Sequence, residues 1–481
     1  MRKIEKLTLA GDIENRTELV NTCSNDASVK YEPKNMSTIF APITALTSSS
    51  VIVLRISGAK SLKCLEKLGI KRVLQPNQAT FAKIYNPENG ELLDHAVATY
   101  FKAPHSFTGE DIAEISLHGS VFIASKVMQI LSNIEGVRAA EAGEFSKIAF
   151  LNNKFDLVQA EAICDLVNAQ TNLQHKQALK QLEGDLGKIY DKWRFQIIEI
   201  LALIESFIDF PDEDIPDDLA LQTNQKVSIL KSQIMSHLDD NKTGQKIKEG
   251  LSLAIIGAPN VGKSSLLNFL AKSEVAIVSD IAGTTRDVID VNLDIAGVPV
   301  KISDTAGIRE SSDKIEREGI KRAVRKAKDA DLVLIMSDLF TQNSEINKYI
   351  DEEISEILSS DEKSITKIAN KSDLKTGAVS ENFDLEISLK NQQNLDLLVE
   401  KLEEEVRKLI PNVNETLITK QRYRDSLNQA LNALEEFSLD KDIELAGEDL
   451  RIAAHEIGRI TGKIEVDNIL DVIFSKFCIG K

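Results

Sequence analysis

Apolar positions along this chain change period four times, and each change marks a passage from one kind of element to another. From Thr38 the pattern is one of short β-branched runs, notably Val51-Ile52-Val53-Leu54-Arg55-Ile56, followed by Ser57-Gly58 and a helix-like stretch Ser61–Lys67. A second pair of strands is expected in Asp94–Phe101 and Ile112–Leu117, with Ser106–Asp111 as the loop between them, so this part reads as a small α+β domain. Helical periodicity takes over at Leu157 and meets no Gly or Pro until Gly184. A second long helix is expected over Ile189–Ile208, ending in Phe210-Pro211-Asp212, and a third over Leu219–Asp240, with Gly250 closing the segment.

The third change is to short buried runs: Leu253–Ile256, a hairpin of Val291–Ile295 and Val298–Ser303 around Ala296-Gly297, then Leu332–Met336 and Ile365–Ile368. Amphipathic helix returns from about Glu415 to Phe477, which predicts one helical domain interrupted by an inserted α/β module. The expected organisation is a flexible polar extension over 1–35, an α+β domain over 36–152, helical parts over 153–250 and 412–481, and a Ras-like P-loop module over 251–411.

The inserted module carries the chemistry. After Leu253–Ile256 comes Gly257-Ala258-Pro259-Asn260-Val261-Gly262-Lys263-Ser264-Ser265, a phosphate-binding loop. Glycine at both ends of the turn lets backbone N–H groups converge on an anion, Lys263 brings a point charge to the β- and γ-phosphates, and the Ser264 hydroxyl can hold Mg²⁺. Ser279-Asp280-Ile281-Ala282-Gly283-Thr284-Thr285 follows as a first switch, where Thr285 can offer its hydroxyl to Mg²⁺ and its N–H to the γ-phosphate. The hairpin then delivers Asp304-Thr305-Ala306-Gly307, placing Asp304 for a Mg²⁺-bound water and the Gly307 N–H for the γ-phosphate.

Asn370-Lys371-Ser372-Asp373 selects the base. The Asp373 carboxylate accepts from N1–H and the 2-amino group of guanine, whereas adenine lacks that amino group and presents an acceptor at N1. Ser388-Leu389-Lys390 stands where a loop backing the base would lie. The residue after Gly307 is Ile308, which can neither orient a water nor neutralise charge. Glu316 is the substitute acid to weigh, against the plainer reading of an exposed helix carboxylate. For the missing positive charge, Asn260 and the carbonyls of Ser279–Gly283 can coordinate a monovalent cation.

Composition narrows the setting. Lys and Arg number 58 against 75 Asp and Glu, a net charge of −17, so the surface as a whole repels nucleic acid and an RNA partner needs a local patch or pocket. Cys23, Cys64, Cys164 and Cys478 form no Cys-x-x-Cys pair, against a disulfide framework or zinc site. No apolar run reaches the roughly 20 residues that span a bilayer, and a cytoplasmic location with no membrane is expected.

With these motifs in order, nearly everything from Thr38 to Lys481 resembles the MnmE (TrmE) family of tRNA-modifying GTPases; Ser106–Asp111, Ala142–Phe145, Phe150–Leu157 and the ending Phe477-Cys478-Ile479-Gly480-Lys481 carry the resemblance outside the nucleotide site. A prenylation box at that ending fits poorly, given Gly480 and Lys481.

The resemblance implies a homodimer built through the N-terminal domain, and a K⁺-dependent GTPase. It also implies an FAD-dependent partner of the MnmG family, with which a heterotetramer forms and the wobble uridine U34 of certain tRNAs gains an aminomethyl-type group (carboxymethylaminomethyl) at carbon 5. By the same resemblance Asn260, Ser279, Ile281 and Thr284 hold K⁺, Ser264 and Thr285 hold Mg²⁺, and Glu316 orients the water. Arg55, Glu114, Lys154 and Lys481 line a pocket for 5-formyl- or methylene-tetrahydrofolate. The chain departs from the family at Thr47–Ser50, where a Gly-rich turn is usual, and at Ile148, where Arg is usual. An ion pair between Arg55 and Glu114 across neighbouring strands is the structural alternative for those two residues. A ribosome-assembly GTPase that docks on rRNA is the alternative function; such proteins append an RNA module such as a KH domain with its GXXG loop, whereas Gly458 and Gly462 have three residues between them.

Overall fold

The computed structural model describes residues 37–209, 216–277, 291–302, 325–338, 363–374, 383–411, 416–464, 470, 473–475, 477, 478 and 480. By its internal contacts the chain forms two compact units. One comprises Met1–Cys164, Gly187–Glu213 and Leu439–Lys481, the other Asp165–Leu186 and Asp214–Ser438.

The first unit is built on β1 (Thr38–Pro42), β2 (Val51–Ser57), β3 (Thr80–Tyr85), β4 (Leu92–Phe101), β5 (Ile112–His118) and β6 (Val137–Ala139), in the order β3-β4-β5-β2-β1-β6. Pairing is antiparallel except between β1 and β6. The strand pair expected around the Ser106–Asp111 loop is β4 and β5. Alternation decides the buried face: Ile52, Leu54 and Ile56 of β2 and Ile115 of β5 are fully buried. They pack with Cys64 and Leu65 of the helix Ser61–Lys67 and with Ala124, Val127 and Leu131 of Val121–Ser132. The latter helix was not marked by the sequence reading; it starts at Ser120, whose hydroxyl accepts from the Ile123 N–H. The helices Glu144–Leu151, Asp185–Asp209 and Ile443–Thr461 complete this unit with most of Leu157–Val167.

One expectation changes. The periodicity from Leu157 to Gly184 is two helices, Leu157–Val167 and Asn172–Leu182. The break has a local cause. The Thr171 hydroxyl caps the second helix by accepting from the Gln174 N–H, while Gln174 Oε1 accepts from the Gln170 N–H. This is close to a reciprocal capping box, which stops a helix without Gly or Pro.

The second unit holds β7 (Leu251–Gly257), β8 (Val291–Ile295), β9 (Val298–Ile302), β10 (Leu332–Asp338), β11 (Ser364–Asn370) and β12 (Leu385–Glu386), in the order β12-β11-β10-β7-β9-β8. All neighbours are parallel except the β8–β9 hairpin. That hairpin turns at Ala296 (φ 54°) and Gly297 (φ 83°), the paired left-handed conformation of a tight primed turn. Near-continuous apolar runs in β7 and β10 follow from burial on both faces. Leu253 and Leu334 face one cluster with Leu266, Leu270 and Leu398, whereas Ala254 and Val333 face another with Ala327 and Ala330.

Candidate active site

The phosphate loop leaves β7 at Gly257 and ends in the helix Lys263–Leu270. Sequence alternation orients it: Val261, Leu266, Leu267 and Leu270 are buried, while Asn260, Ser264 and Ser265 are exposed at the loop and first helical turn. Asn260 has φ 59° and Gly262 φ 107°, so the backbone reverses its curvature within three residues. At Gly262 a β-carbon would lie 2.4 Å from Asn370 Nδ2, which makes glycine obligatory there for space as well as for conformation. Lys263 Nζ donates to the carbonyls of Gly257 (2.8 Å) and Ala258 (2.7 Å), placing its ammonium over the loop.

Asn370 stands at the end of β11, buried to 5 % exposure, and its two amide atoms work in opposite directions. Its Nδ2 donates to the Val261 carbonyl at 2.8 Å, and its Oδ1 accepts from the Leu389 N–H at 3.2 Å. One side chain therefore joins the phosphate loop to the Asn370–Asp373 and Ser388–Lys390 segments. Asp373 lies in the 3₁₀ turn Ser372–Leu374 and accepts from Ser388 Oγ at 2.7 Å, and Ser388 is itself fully buried. That hydrogen bond fixes the orientation of the carboxylate expected from the sequence to read the base edge. Lys371, at φ 66°, directs its ammonium to Asp338 at the end of β10.

The other nucleotide residues, Ser279, Asp280, Ile281, Ala282, Gly283, Thr284, Thr285, Asp304, Thr305, Ala306, Gly307 and Glu316, lie outside the described residues, as does Lys481. Among the described residues no group of three or more His, Cys, Asp or Glu side chains could hold a metal. The Mg²⁺ and K⁺ sites expected here use a hydroxyl and an amide instead, and Ser264 and Asn260 present those groups on the exposed side of the loop.

In the N-terminal domain Arg55 and Glu114 are direct cross-strand partners on β2 and β5. Their side chains pair, with Arg55 Nε 2.9 Å and a terminal nitrogen 2.8 Å from Glu114 Oε1. The guanidinium also sits 5.0 Å from the centroid of Phe107 and 5.7 Å from that of Phe145, between loop and helix. Lys154 Nζ donates to the Pro104 carbonyl at 2.9 Å, and Asn152 Nδ2 donates to the Thr108 carbonyl at 2.7 Å. The Ser106–Asp111 loop thus touches both the Arg55 pair and the Lys154 segment. Ile148 packs with Ile39, Ala41 and Phe145, an apolar setting that suits its side chain.

Sequence reasoning missed Glu110 in that loop. Its carboxylate accepts from Ser57 Oγ at 2.8 Å, and burial raises its pKa above the usual carboxylate range. Phe107 and Phe145, which flank the Arg55 guanidinium, were missed as well. The signal that existed was the polar Ser57 at the end of an apolar strand.

Residues 38–154 match the family described as GTP-binding protein TrmE N-terminus, and residues 157–478 match the MnmE helical domain. The tRNA modification GTPase MnmE of Rickettsia akari (strain Hartford) is 48% identical over 452 residues, 93% of this chain and 100% of that protein. Its counterpart in Rickettsia bellii (strain OSU 85-389) is 47% identical over 456 residues, with the same two coverages. Among solved structures, a variant of Aquifex aeolicus Era bound to GDP.AlF4- is 25% identical, with a TM-score of 0.25 over 38% of this chain and 66% of that one. The G domain of the T. maritima FeoB iron transporter is 24% identical, with a TM-score of 0.23 over 32% of this chain and 98% of that one. Two sequence families that between them run from residue 38 to residue 478, and relatives aligned over their whole length, place the chain in the MnmE family of tRNA modification GTPases.

Proposed function

We propose that this GTPase is K⁺-dependent and, with an FAD-dependent partner of the MnmG family, installs a carboxymethylaminomethyl group at carbon 5 of wobble uridine U34 in certain tRNAs. The observation that carries the nucleotide half is the Asn370 bridge to Val261 together with Asp373 held by Ser388. It supports the reading that base reader and phosphate cradle form one frame, which would position a guanine nucleotide from both ends. Lys263 then brings its ammonium to the β- and γ-phosphates, and the backbone N–H groups of Gly262 and Lys263 open the helix whose N-terminus favours the anion.

Ser264 and Thr285 would hold Mg²⁺, and Asn260, Ser279, Ile281 and Thr284 would hold K⁺. What these ions supply is neutralisation of charge on the phosphates. Glu316 would orient the attacking water, a role that Ile308 cannot fill. For the folate, Arg55, Glu114, Lys154 and Lys481 would hold the ligand, and it supplies a one-carbon unit. The Arg55 guanidinium between two aromatic rings supports this reading, because it is a preorganised cation on a loop-lined wall.

A homodimer through the N-terminal domain is supported by Phe81 and Val97. These face each other across β3 and β4 at 63% and 40% exposure, an apolar pair on the uncovered side of the sheet. A heterotetramer with the flavoprotein and a cytoplasmic location belong to the same proposal; no helix among the described residues is long and apolar enough to cross a membrane. The rRNA-docking alternative gains nothing, since Gly458 lies inside the helix Ile443–Thr461 and Gly462, at φ 79°, is its C-cap.

The test is hydrolysis in K⁺ against Na⁺. Loss of a charge stabiliser of this kind is expected to slow the step on the order of 10³-fold, by analogy with finger arginines. Glu316→Ala is expected to slow hydrolysis with nucleotide affinity nearly intact. Equal rates in the two salts would remove K⁺ from the mechanism, and a loss of binding in the variant would make Glu316 structural.

A further inference from the structure

The helix Asn172–Leu182 turns amides toward the two segments that lead into and out of the GTPase core. Gln174 and Gln181 stand about two turns apart and so share a face. Gln174 Nε2 donates at 2.9 Å to the carbonyl of Lys248, which belongs to the helix Thr243–Glu249 that runs through Gly250 into β7. Gln181 Nε2 donates at 2.9 Å to Thr419 Oγ1 and at 3.3 Å to the Leu417 carbonyl, on the segment that runs into the helix Gln421–Glu436. One helix face holds both sides of the neck at which the α/β module is inserted.

Beside this clamp is a cavity of about 200 Å³ whose lining includes Asp165, Gln174, Gln181, Lys248 and Thr419. One water needs roughly 10–15 Å³ of such space, so the cavity has room for a small polyatomic ion. The charge around it is uneven. Lys248 Nζ lies 3.2 Å from Asp165 Oδ1 and Lys420 Nζ 3.4 Å from Asp165 Oδ2, so two ammonium groups converge on one carboxylate. The three side chains are only 29%, 17% and 16% exposed, for Lys248, Lys420 and Asp165 in turn. Ammonium groups so far removed from water favour a further counter-charge. Burial first, and the neighbouring Lys420 charge second, pull the Lys248 ammonium down to a pKa of about 8, against the opposing pull of the Asp165 carboxylate.

We propose that this cavity binds a small oxyanion, a phosphate or a short carboxylate, whose oxygens accept from the Lys248 ammonium and whose charge balances the Lys248–Asp165–Lys420 cluster. The size fits, because inorganic phosphate has five non-hydrogen atoms. Seated there, the anion contacts the ingoing helix beside the amides that hold the outgoing segment, and it stiffens the neck of the GTPase module.

The test uses the full chain saturated with a non-hydrolysable GTP analogue, which fills the phosphate loop. Inorganic phosphate is titrated and its ³¹P linewidth followed, with acetate then added as competitor. Saturable broadening is expected, and its reversal by acetate shows that the site takes carboxylates as well; persistence against acetate narrows the ligand to phosphates. Lys248→Gln is expected to weaken binding about tenfold or more, since a charge-assisted hydrogen bond is lost. Lys248→Arg is expected to retain binding, and Asp165→Asn to tighten it by removing the competing carboxylate. The last result is one that a purely structural role for the cluster does not produce. Absence of saturable broadening, or equal affinity in Lys248→Gln, would overturn the proposal.

Discussion

Asn370 Nδ2 donates a 2.8 Å hydrogen bond to the carbonyl of Val261, a residue 109 positions earlier in the chain. The bond makes the distance between the phosphate loop and the end of β11 a fixed property of the core, with the Asn370 side chain 5 % exposed and its other amide atom held by the Leu389 N–H. A buried amide satisfied on both sides tolerates little displacement.

The proposed site rests guanine specificity on the Asp373 carboxylate. Asp373→Asn reverses one donor–acceptor match, so weaker GTP binding and a preference for xanthine nucleotides are expected. Competition of fluorescent GTP by XTP measures it. Unchanged GTP affinity would remove Asp373 from the base site.

Much of this site was legible because its signals are local. The Gly257–Ser265 loop and the Asn370–Asp373 quartet each carry their chemistry within a few residues, and the strands before them read directly from apolar runs. The Asn370–Val261 bond was not legible, since nothing in either segment specifies the partner across 109 positions. The same holds for Arg55 and Glu114: both were singled out by charge, but only the β2–β5 register places them directly opposite each other. The break at Thr171 is not marked by Gly or Pro, the usual stops, because a hydroxyl cap serves there instead. The helix Val121–Ser132 went unmarked although Ala124, Val127 and Leu131 recur at helical spacing.

The Arg55–Glu114 pair gives the folate proposal a sharp test. If the pair is part of the ligand wall, Glu114→Ala abolishes stoichiometric binding of a reduced folate to the full chain by calorimetry, and Arg55→Lys weakens it, because a point charge replaces a planar fork. If the pair is only structural, both variants bind as the native chain does and differ from it only in stability.

His237, close to the end of the helix Asp217–Leu238, gives the helical region an acid sensitivity. Burial lowers its pKa from 6.5 to about 4, against the opposing pull of Asp240 and with the aid of the Arg424 charge. Arg424 and Asp240 are themselves a nearly buried pair, with Arg424 also donating to the Leu238 carbonyl at 2.9 Å. Because the folded pKa is depressed, the stabilisation is complete above pH 6.5 and is lost as pH falls toward 4, where the unfolded chain binds the proton first. The contribution is at most about 3 kcal/mol and nearer 2 after solvent screening. Urea midpoints at pH 7 and pH 5 measure it: the native chain is expected to lose more stability than His237→Gln over that interval, and equal losses would remove His237 as the cause.

The central claim is that this GTP hydrolysis serves the wobble uridine of tRNA. The most direct measurement is mass spectrometry of nucleosides from the tRNA of cells lacking this protein, complemented with the native chain or with Asp373→Asn. Loss of the carboxymethylaminomethyl group from uridine 34, its return with the native chain and a deficit with Asp373→Asn are expected. Unchanged wobble uridine in the cells that lack the protein would contradict the account.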